Sequence, residues 1–320
     1  MDIIFFGSDE ISINPFVSLI ESGQNVKALI TSPDKPKGRG LEPSPPEIKK
    51  IAIKYGISVL QPDRLKENQE IFEKLKELEP QLGVVVAYGK IIPQEIIEIP
   101  KLGIINLHFS LLPKLRGAAP INWAIINGEQ KTGVTVFFIN EKMDEGDIIL
   151  QKEIEIGERE RVDKLRERMI PIGTSLLLSA IDSIEKGDFK RIPQNHALAT
   201  YAPKIKKEDG LIDWSKTAEE IDRLVRGLFG WPGTFTYWNG KMLKVIETLP
   251  LEEKFDFKKP GEIVEIRKEG IIVACGNNSA ILIKTLQLEG KKVMPAYDFS
   301  LGAKIKKGDI FGGKEEKINL

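Results

Sequence analysis

The chain has 320 residues, of which 41% are hydrophobic and 29% charged, and its 47 basic and 47 acidic side chains cancel to zero formal charge. This balance excludes a disordered chain and argues against binding of polyanions over the whole surface. The length predicts two domains. A single cysteine, Cys275, excludes an internal disulfide and suits a reducing compartment, and two histidines are too few for a usual structural zinc site. Because the apolar runs are too short to cross a bilayer and no secretory signal is visible, we expect a cytoplasmic protein that does not bind a membrane.

Apolar strands alternate with helical patterns through the first half of the chain. We predict strands over residues 2–6, 25–31, 83–87, 103–107 and 134–139, and helices over residues 15–21, 46–55, 64–78 and 162–186. This alternation predicts βαβ units and a mostly parallel sheet, with ligands bound beyond the carboxyl ends of the strands. That rule directs attention to the segments that follow Ile30, Val86, Leu107 and Ile139.

The second half of the chain has a different pattern. Residues 187–207 lose helical periodicity and contain Pro193 and Pro203, which indicates a linker, and His196 within it is expected at the surface. A helix is predicted over residues 217–228, followed by short strands over 235–238, 243–248, 261–266, 270–274 and 280–288. Closely spaced short strands after a helix predict a small barrel or sandwich.

The densest group of polar side chains follows the predicted strand at 103–107. In an extended segment Asn106 and His108 project to the same side, because residues two apart share a face. Asn106 offers an amide N–H donor for an oxyanion, and His108 offers a group that titrates near neutrality. A histidine at a strand end is also compatible with a purely structural role, and the pair alone does not decide between the two interpretations.

An acidic stretch, MDEGD at residues 143–147, follows the predicted strand at 134–139. A carboxylate here, such as Asp144, could reach His108 if the two strands are neighbours, and it would then orient the imidazole and favour its charged form. The same residues are also ordinary chemistry for a solvated turn. Neither G-x-G-x-x-G nor a P-loop motif is present, which argues against a dinucleotide or nucleotide triphosphate site of those types.

Taken together, these motifs resemble the methionyl-tRNA formyltransferase family over essentially the whole chain. The matching segments are FFGSDEI at 5–11, TSPDKP with GRG within 31–40, PSP at 43–45, VVAYG at 85–89, NLH with SLLP within 106–113, RGAAPI at 116–121, TGVT at 132–135, MDEGD at 143–147, IDW at 212–214 and WPG at 231–233. The resemblance implies an α/β fold class, with a Rossmann-like, mostly parallel sheet followed by a small OB-like β-barrel. It implies a formyltransferase catalytic domain over residues 1–188, a linker over 189–207 and a tRNA-binding β-barrel domain over 208–314.

The resemblance also implies an activity, which is transfer of the formyl group of the co-substrate 10-formyltetrahydrofolate to the α-amine of methionyl initiator tRNA. The family's essential catalytic residues correspond to Asn106, His108 and Asp144. The residues assigned to the folate site are Ser110, Leu111, Leu112, Pro113 and Tyr88. We expect no metal, and we expect the protein to be a monomer.

The loop at residues 32–46 contains five prolines together with Lys35, Lys37 and Arg39. A mobile surface loop is one interpretation. The resemblance implies instead that the loop inserts near the tRNA acceptor end, where Arg39 would contact a phosphate or a base. Lysines in the β-rich part would add a phosphate-facing surface, or else a solvated face balanced by acids.

Two alternatives belong to other functional classes. One is a folate-dependent N-formyltransferase that acts on an amino sugar nucleotide, since such enzymes share the Asn-x-His and Asp site. The other is an RNA-binding protein whose catalytic centre has decayed, and the presence of Asn106, His108 and Asp144 speaks against it.

Overall fold

The computed structural model describes residues 1–37 and 42–312. The described chain divides into two compact units. The first comprises Met1–Pro120, Lys131–Glu155 and Arg166–Pro203, and the second comprises Ile121–Gln130, Ile156–Leu165 and the chain from Lys204 onward. The domain boundaries predicted from the sequence stay predictions. Among the described helices, none is long and apolar enough to span a membrane.

The strands of the first unit are β1 (Asp2–Gly7), β2 (Asn25–Ile30), β3 (Lys35–Lys37), β4 (Glu42–Ser44), β5 (Ser58–Leu60), β6 (Leu82–Val86), β7 (Ile104–His108), β8 (Lys131–Phe138) and β9 (Ile148–Glu155). The strands of the second unit are β10 (Thr234–Trp238), β11 (Lys241–Leu251), β12 (Ile263–Arg267), β13 (Gly270–Cys275), β14 (Ser279–Leu288) and β15 (Met294–Pro295). The helices are α1 (Ile13–Glu21), α2 (Glu47–Lys54), α3 (Gln69–Glu77), α4 (Gln94–Ile97), α5 (Pro120–Ile126), α6 (Val162–Lys186), α7 (Ala218–Gly227) and α8 (Ala296–Gly302), with short 3₁₀ turns at Glu10–Ser12, His196–Leu198 and Lys207–Gly210.

Seven strands of the first unit form one sheet in the order β5-β2-β1-β6-β7-β8-β9. The pairs from β5 to β7 are parallel. β1 and β6 are buried along nearly their whole length, as the continuous apolar runs predict for strands covered on both faces. The predicted Rossmann-like, mostly parallel sheet is confirmed.

The last two strands of this sheet run the other way. β8 is antiparallel to β7, with Ile105 opposite Phe138 and His108 opposite Thr135, and β9 is antiparallel to β8. The carboxyl end of β8 therefore lies beside Ile105, at the far end of β7 from His108. The expectation that the segment after Ile139 leaves the sheet at the shared carboxyl edge was wrong, because that rule holds only for parallel neighbours.

The helix predicted over residues 64–78 begins later than expected. The structure starts it at Gln69, because the side chain of Asn68 accepts a hydrogen bond from the Ile71 amide and caps the helix. Glu67, just before the cap, has a left-handed φ of 56°, which a helix does not accommodate. The apolar residue Leu65 is buried from the preceding turn instead.

The second unit carries an antiparallel sheet in the order β10-β11-β14-β13-β12, with β15 paired to β14. β14 is buried on both faces, since Ile281 and Ile283 belong to one apolar cluster and Ala280 and Leu282 belong to another. A β-rich domain after the Rossmann-like sheet confirms the second part of the predicted fold class.

Candidate active site

Strand β7 positions two of the predicted catalytic side chains. Asn106 lies opposite Val85 of β6 and Phe137 of β8, and His108 lies opposite Thr135. Alternation along the strand puts Asn106 and His108 on one face and the buried Leu107 on the other. Asn106 is half-buried, and His108 is only 6% exposed. The strand therefore presents an amide and an imidazole side by side.

The surroundings of the His108 ring assign different roles to its two nitrogens. Nε2 lies 3.0 Å from the carbonyl oxygen of Leu115. Because a carbonyl only accepts hydrogen bonds, Nε2 must carry the proton when the ring is neutral. Nδ1 faces the Asp144 carboxylate, with 3.8 Å between Nδ1 and Oδ2. That distance is too long for a direct hydrogen bond but short enough for a charge interaction when the ring is protonated. Nδ1 is thus the nitrogen that can exchange a proton at the site.

Asp144 reaches His108 from the loop between β8 and β9, not from a strand end. Its backbone has a left-handed φ of 55°, and its Oδ2 accepts a hydrogen bond of 2.7 Å from the Gly117 amide. Gly146 makes this loop possible, since a Cβ there would collide with the carbonyl oxygen of Phe138. The structure therefore brings together His108 and Asp144, which lie far apart in the sequence.

The loop after β7 is held in shape by its own polar groups and by the neighbouring strands. Ser110 Oγ donates to the Lys114 carbonyl at 2.6 Å. Thr135 Oγ1 donates to the Ser110 carbonyl and accepts from the Leu112 amide, at 2.6 and 3.2 Å. Gln151 Nε2 donates to the Leu112 carbonyl at 2.9 Å, and the peptide bond from Leu112 to Pro113 is cis. These contacts fix the backbone of the predicted folate signature.

The residues predicted for the folate site differ in where they lie. Leu112 is buried, whereas Leu111 and Pro113 of the same loop are half-buried. The Tyr88 ring packs edge-on against Phe6, 5.5 Å between ring centroids, inside the apolar core of the first unit. Burial raises the pKa of the Tyr88 hydroxyl well above its usual value. That hydroxyl has no hydrogen-bond partner among the residues that the structure describes.

Arg39, the predicted tRNA contact, lies outside the described residues.

Sequence reasoning missed a polar cluster behind the Asp144 loop. Arg116 is 1% exposed, and its guanidinium pairs with Glu145 Oε1 at 3.0 Å. The same group donates to Gln194 Oε1 at 2.8 Å and to His196 Nδ1 at 3.0 Å. His196 is largely exposed, as expected, but the contact with Arg116 ties it to the site. Arg116 belongs to the RGAAPI motif at 116–121, to which the sequence analysis assigned no role, and no sequence pattern around Gln194 indicated a function.

Comparisons with known proteins identify family models and relatives that match most of the chain. A family model described as "Formyl transferase" matches residues 1–181, and one described as "Formyl transferase, C-terminal domain" matches residues 204–304. The chain is similar to the methionyl-tRNA formyltransferase of Desulforamulus reducens, with 45% identity over 313 residues that cover 98% of each chain.

Solved structures share the fold at lower identity. HypX from Aquifex aeolicus, in complex with tetrahydrofolic acid, has a TM-score of 0.62 and 19% identity over 98% of this chain and 51% of HypX, so the chain spans about half of HypX. The N-formyltransferase from Helicobacter canadensis, in complex with folinic acid and dTDP-3-aminofucose, has a TM-score of 0.65 and 20% identity over 88% of this chain and 98% of that one.

Proposed function

From the premise that this chain belongs to the methionyl-tRNA formyltransferase family, we propose that it transfers the formyl group of 10-formyltetrahydrofolate to the α-amine of methionyl initiator tRNA. The observation that carries the proposal is the similarity to a methionyl-tRNA formyltransferase through both units of the chain. The reaction belongs to translation initiation, and we propose that the protein acts in the cytoplasm.

The proposed catalytic work falls on groups that stabilise a developing negative charge. The co-substrate supplies a formyl carbonyl, and attack by the amine puts negative charge on its oxygen. The Asn106 amide and the Nδ1–H of protonated His108 are the proposed donors to that oxygen. Nε2 of His108 is not available, because it already donates to the Leu115 carbonyl. In other enzymes that stabilise an oxyanion, removal of one such donor costs about 10²–10³ in rate.

Asp144 is proposed to hold the proton on His108. Its carboxylate lies 3.8 Å from Nδ1, and the Gly117 amide fixes the direction in which the carboxylate points. At this distance the carboxylate is placed to interact with a charged imidazole. In the overall reaction the amine loses one proton and the leaving nitrogen of the folate gains one, and His108 with Asp144 is placed to pass that proton.

The residues at the carboxyl edge of the sheet fit a folate co-substrate. β6 and β7 are parallel neighbours, so the segments that follow them lie at the same edge. A flat pterin ring needs apolar surface with polar groups along its rim. Ile91, after β6, is 78% exposed, and the loop from Ser110 to Pro113 offers a fixed backbone. The Tyr88 ring lies in the core, so we propose that only its backbone faces this edge.

The tRNA is proposed to contact Arg39 and the second unit, residues 208–314 of which form the proposed tRNA-binding domain. Exposed lysines of the second unit would supply attraction to phosphates: Lys241, Lys244, Lys291, Lys292, Lys304, Lys306 and Lys307. The protein is proposed to act as a monomer.

The test is to incubate the purified chain with 10-formyltetrahydrofolate and charged initiator tRNA, and to measure formylmethionine on the tRNA. An amino sugar nucleotide is offered in a parallel reaction. Formylation of the tRNA alone is the expected result. Formylation of the sugar amine with an unmodified tRNA would overturn the proposal.

The Arg39→Ala variant tests the tRNA contact separately. We expect a higher KM for the tRNA and an unchanged KM for the folate, because a phosphate or base contact is lost without change to the folate site. Unchanged kinetics with both substrates would remove Arg39 from the tRNA site.

A further inference from the structure

We infer that residues 189–203, here named the connecting segment, hold the catalytic side chains in place, with Gln194 and Thr200 as positioning residues. The inference rests on the proposed function, because it concerns His108 and Asp144 of the same site. The sequence predicted this stretch as a linker, yet it belongs to the first compact unit. Its hydrogen bonds end on the two loops that carry and orient the proposed catalytic groups.

Gln194 holds the Asp144 loop. It is buried, and its Nε2 donates to the carbonyl oxygens of Asp144 and Gly146 at 2.9 and 2.8 Å. Its Oε1 accepts from Arg116 at 2.8 Å. One side-chain amide thus bridges two carbonyls of the loop, and Glu145 between them pairs with the same Arg116. These contacts stabilise the left-handed backbone conformation of Asp144.

Thr200 holds the peptide that orients His108. Its Oγ1 accepts from the Leu115 amide and its carbonyl accepts from the Arg116 amide, both at 2.9 Å. Leu115 has a φ of 58°, which is an outlier for a bulky residue and needs support from its surroundings. Since the Leu115 carbonyl accepts from His108 Nε2, Thr200 indirectly determines which ring nitrogen carries the proton.

Two further hydrogen bonds join the connecting segment to the loop that follows β7. The Ala202 amide donates to the Arg116 carbonyl at 2.7 Å, and the Ala119 amide donates to the Ala202 carbonyl at 3.2 Å. Gly117 permits this approach, since a Cβ there would lie 2.6 Å from the Ala202 carbonyl oxygen. The Gly117 amide in turn binds the Asp144 carboxylate. The connecting segment is therefore linked through hydrogen bonds to both His108 and Asp144.

The first experiment compares Gln194→Glu with wild type. A glutamate keeps an acceptor for Arg116 but has no donor for the Asp144 and Gly146 carbonyls. The contact with Arg116 is therefore preserved, while the two hydrogen bonds to the Asp144 loop are lost. We expect kcat to fall by about 10- to 100-fold with both KM values within about twofold, because a misplaced catalytic group costs up to about 10² in rate. Leu198→Ala, at an exposed position of the same segment, is the matched control and should keep wild-type kinetics.

The second experiment uses the pair Thr200→Val and Thr200→Ser. Valine lacks the acceptor for the Leu115 amide, and serine keeps it. We expect Thr200→Val to lose about tenfold in kcat and Thr200→Ser to retain it. Nitrogen-15 spectra of the imidazole rings report the tautomer, and with only two histidines in the chain the signal of His108 is identified by comparison with His196→Asn. Wild type and Thr200→Ser should show Nε2–H for neutral His108, and Thr200→Val should show a mixture.

Two results would overturn the inference: a folded Gln194→Glu with kcat within twofold of wild type, or a Thr200→Val that keeps both the tautomer and kcat. If Gln194→Glu does not fold, the Thr200 pair decides alone. The tautomer spectrum needs no substrate. A wild type that fails to formylate tRNA would therefore defeat the proposed function and leave this measurement intact.

Discussion

The two sides of the candidate site are built in different ways. Asn106 and His108 lie on β7, which is paired on both sides in a sheet. Asp144 lies in a loop with a left-handed backbone, and single hydrogen bonds from Gly117 and Gln194 hold it there. A strand position is fixed by many repeated backbone bonds, whereas a loop position depends on a few specific ones. The strand side should therefore tolerate changes in its surroundings better than the loop side.

The largest effect is expected from removing the strand-borne imidazole. His108→Ala should lower kcat by about 10³-fold or more, because it removes both an oxyanion donor and the proton-carrying group. Binding of tRNA, measured by filter retention, should change little, since His108 is buried within the first unit. An equal loss of tRNA affinity would indicate a structural histidine and would contradict the catalytic role proposed for the strand side.

The loop-borne carboxylate is tested by Asp144→Asn. The amide keeps an oxygen for the Gly117 N–H but loses the charge that faces Nδ1 of His108. We expect kcat to fall by about 10²-fold, within the range for loss of proton-transfer assistance. Single-turnover rates measure this directly. Activity within threefold of wild type would mean that the carboxylate only shapes the loop.

Substitution of two glycines tests whether the loop side depends on the close approach of the Gly117 and Ala202 backbones. Gly117 and Gly187 both have positive φ, but only Gly117 faces a backbone oxygen, and nothing lies within 4 Å of a Cβ at Gly187. Gly187→Ala should cost about 1 kcal/mol in the free energy of unfolding and leave kcat unchanged. Gly117→Ala should cost about 1–3 kcal/mol more through overpacking and lower kcat about tenfold. Urea unfolding and steady-state rates separate the two, and equal behaviour of the variants would contradict the assigned contact.

The smallest effect is expected at Tyr88, which follows a strand end but points into the core. Tyr88→Phe should stabilise the protein by about 1 kcal/mol, because it removes a buried hydroxyl that has no partner in the described part of the chain. The KM for folate should not change. A marked rise in that KM would place the hydroxyl in the folate site. It would also mean that the position of Tyr88 after a strand end was a sufficient guide to its function.

The Tyr88 hydroxyl also predicts a pH dependence of stability that the Tyr88→Phe variant should lack. Burial raises the pKa of Tyr88 above its ordinary value of 10.0 in the folded state, so the unfolded chain ionises first as the pH rises. Stability is therefore independent of this group below pH 10 and falls as the pH climbs from there toward the folded-state pKa, because the unfolded chain releases the proton while the folded chain keeps it. Chemical unfolding at pH 9 and pH 11 should therefore show a smaller decrease for Tyr88→Phe than for wild type. An identical decrease would contradict the burial of this group.

Much of the strand side could be predicted from the sequence. The apolar run before Asn106 identified a buried strand, and the spacing of two identified a shared face. The start of α3 was predicted too early because apolar spacing continues through Leu65, while the cap at Asn68 decides where the helix begins. α5, α4 and α8 were missed since each is only four to seven residues long, too short for a helical period to stand out.

The sequence by itself determined strands β1, β2, β6, β7, β8 and β10 to β14, the residue types at the site and the resemblance to one family, because periodicity and motifs are local properties of a chain. The tertiary structure alone decided that β8 runs antiparallel to β7, that Asp144 returns to His108, and that the Leu115 carbonyl selects a ring nitrogen. It also joined Gln194 and Thr200 of the predicted linker to the loops around Asp144 and Leu115 by hydrogen bonds. The contacts responsible join residues 50 positions apart for Gln194 with Asp144 and 85 apart for Thr200 with Leu115, and no local pattern encodes a hydrogen bond over such separations.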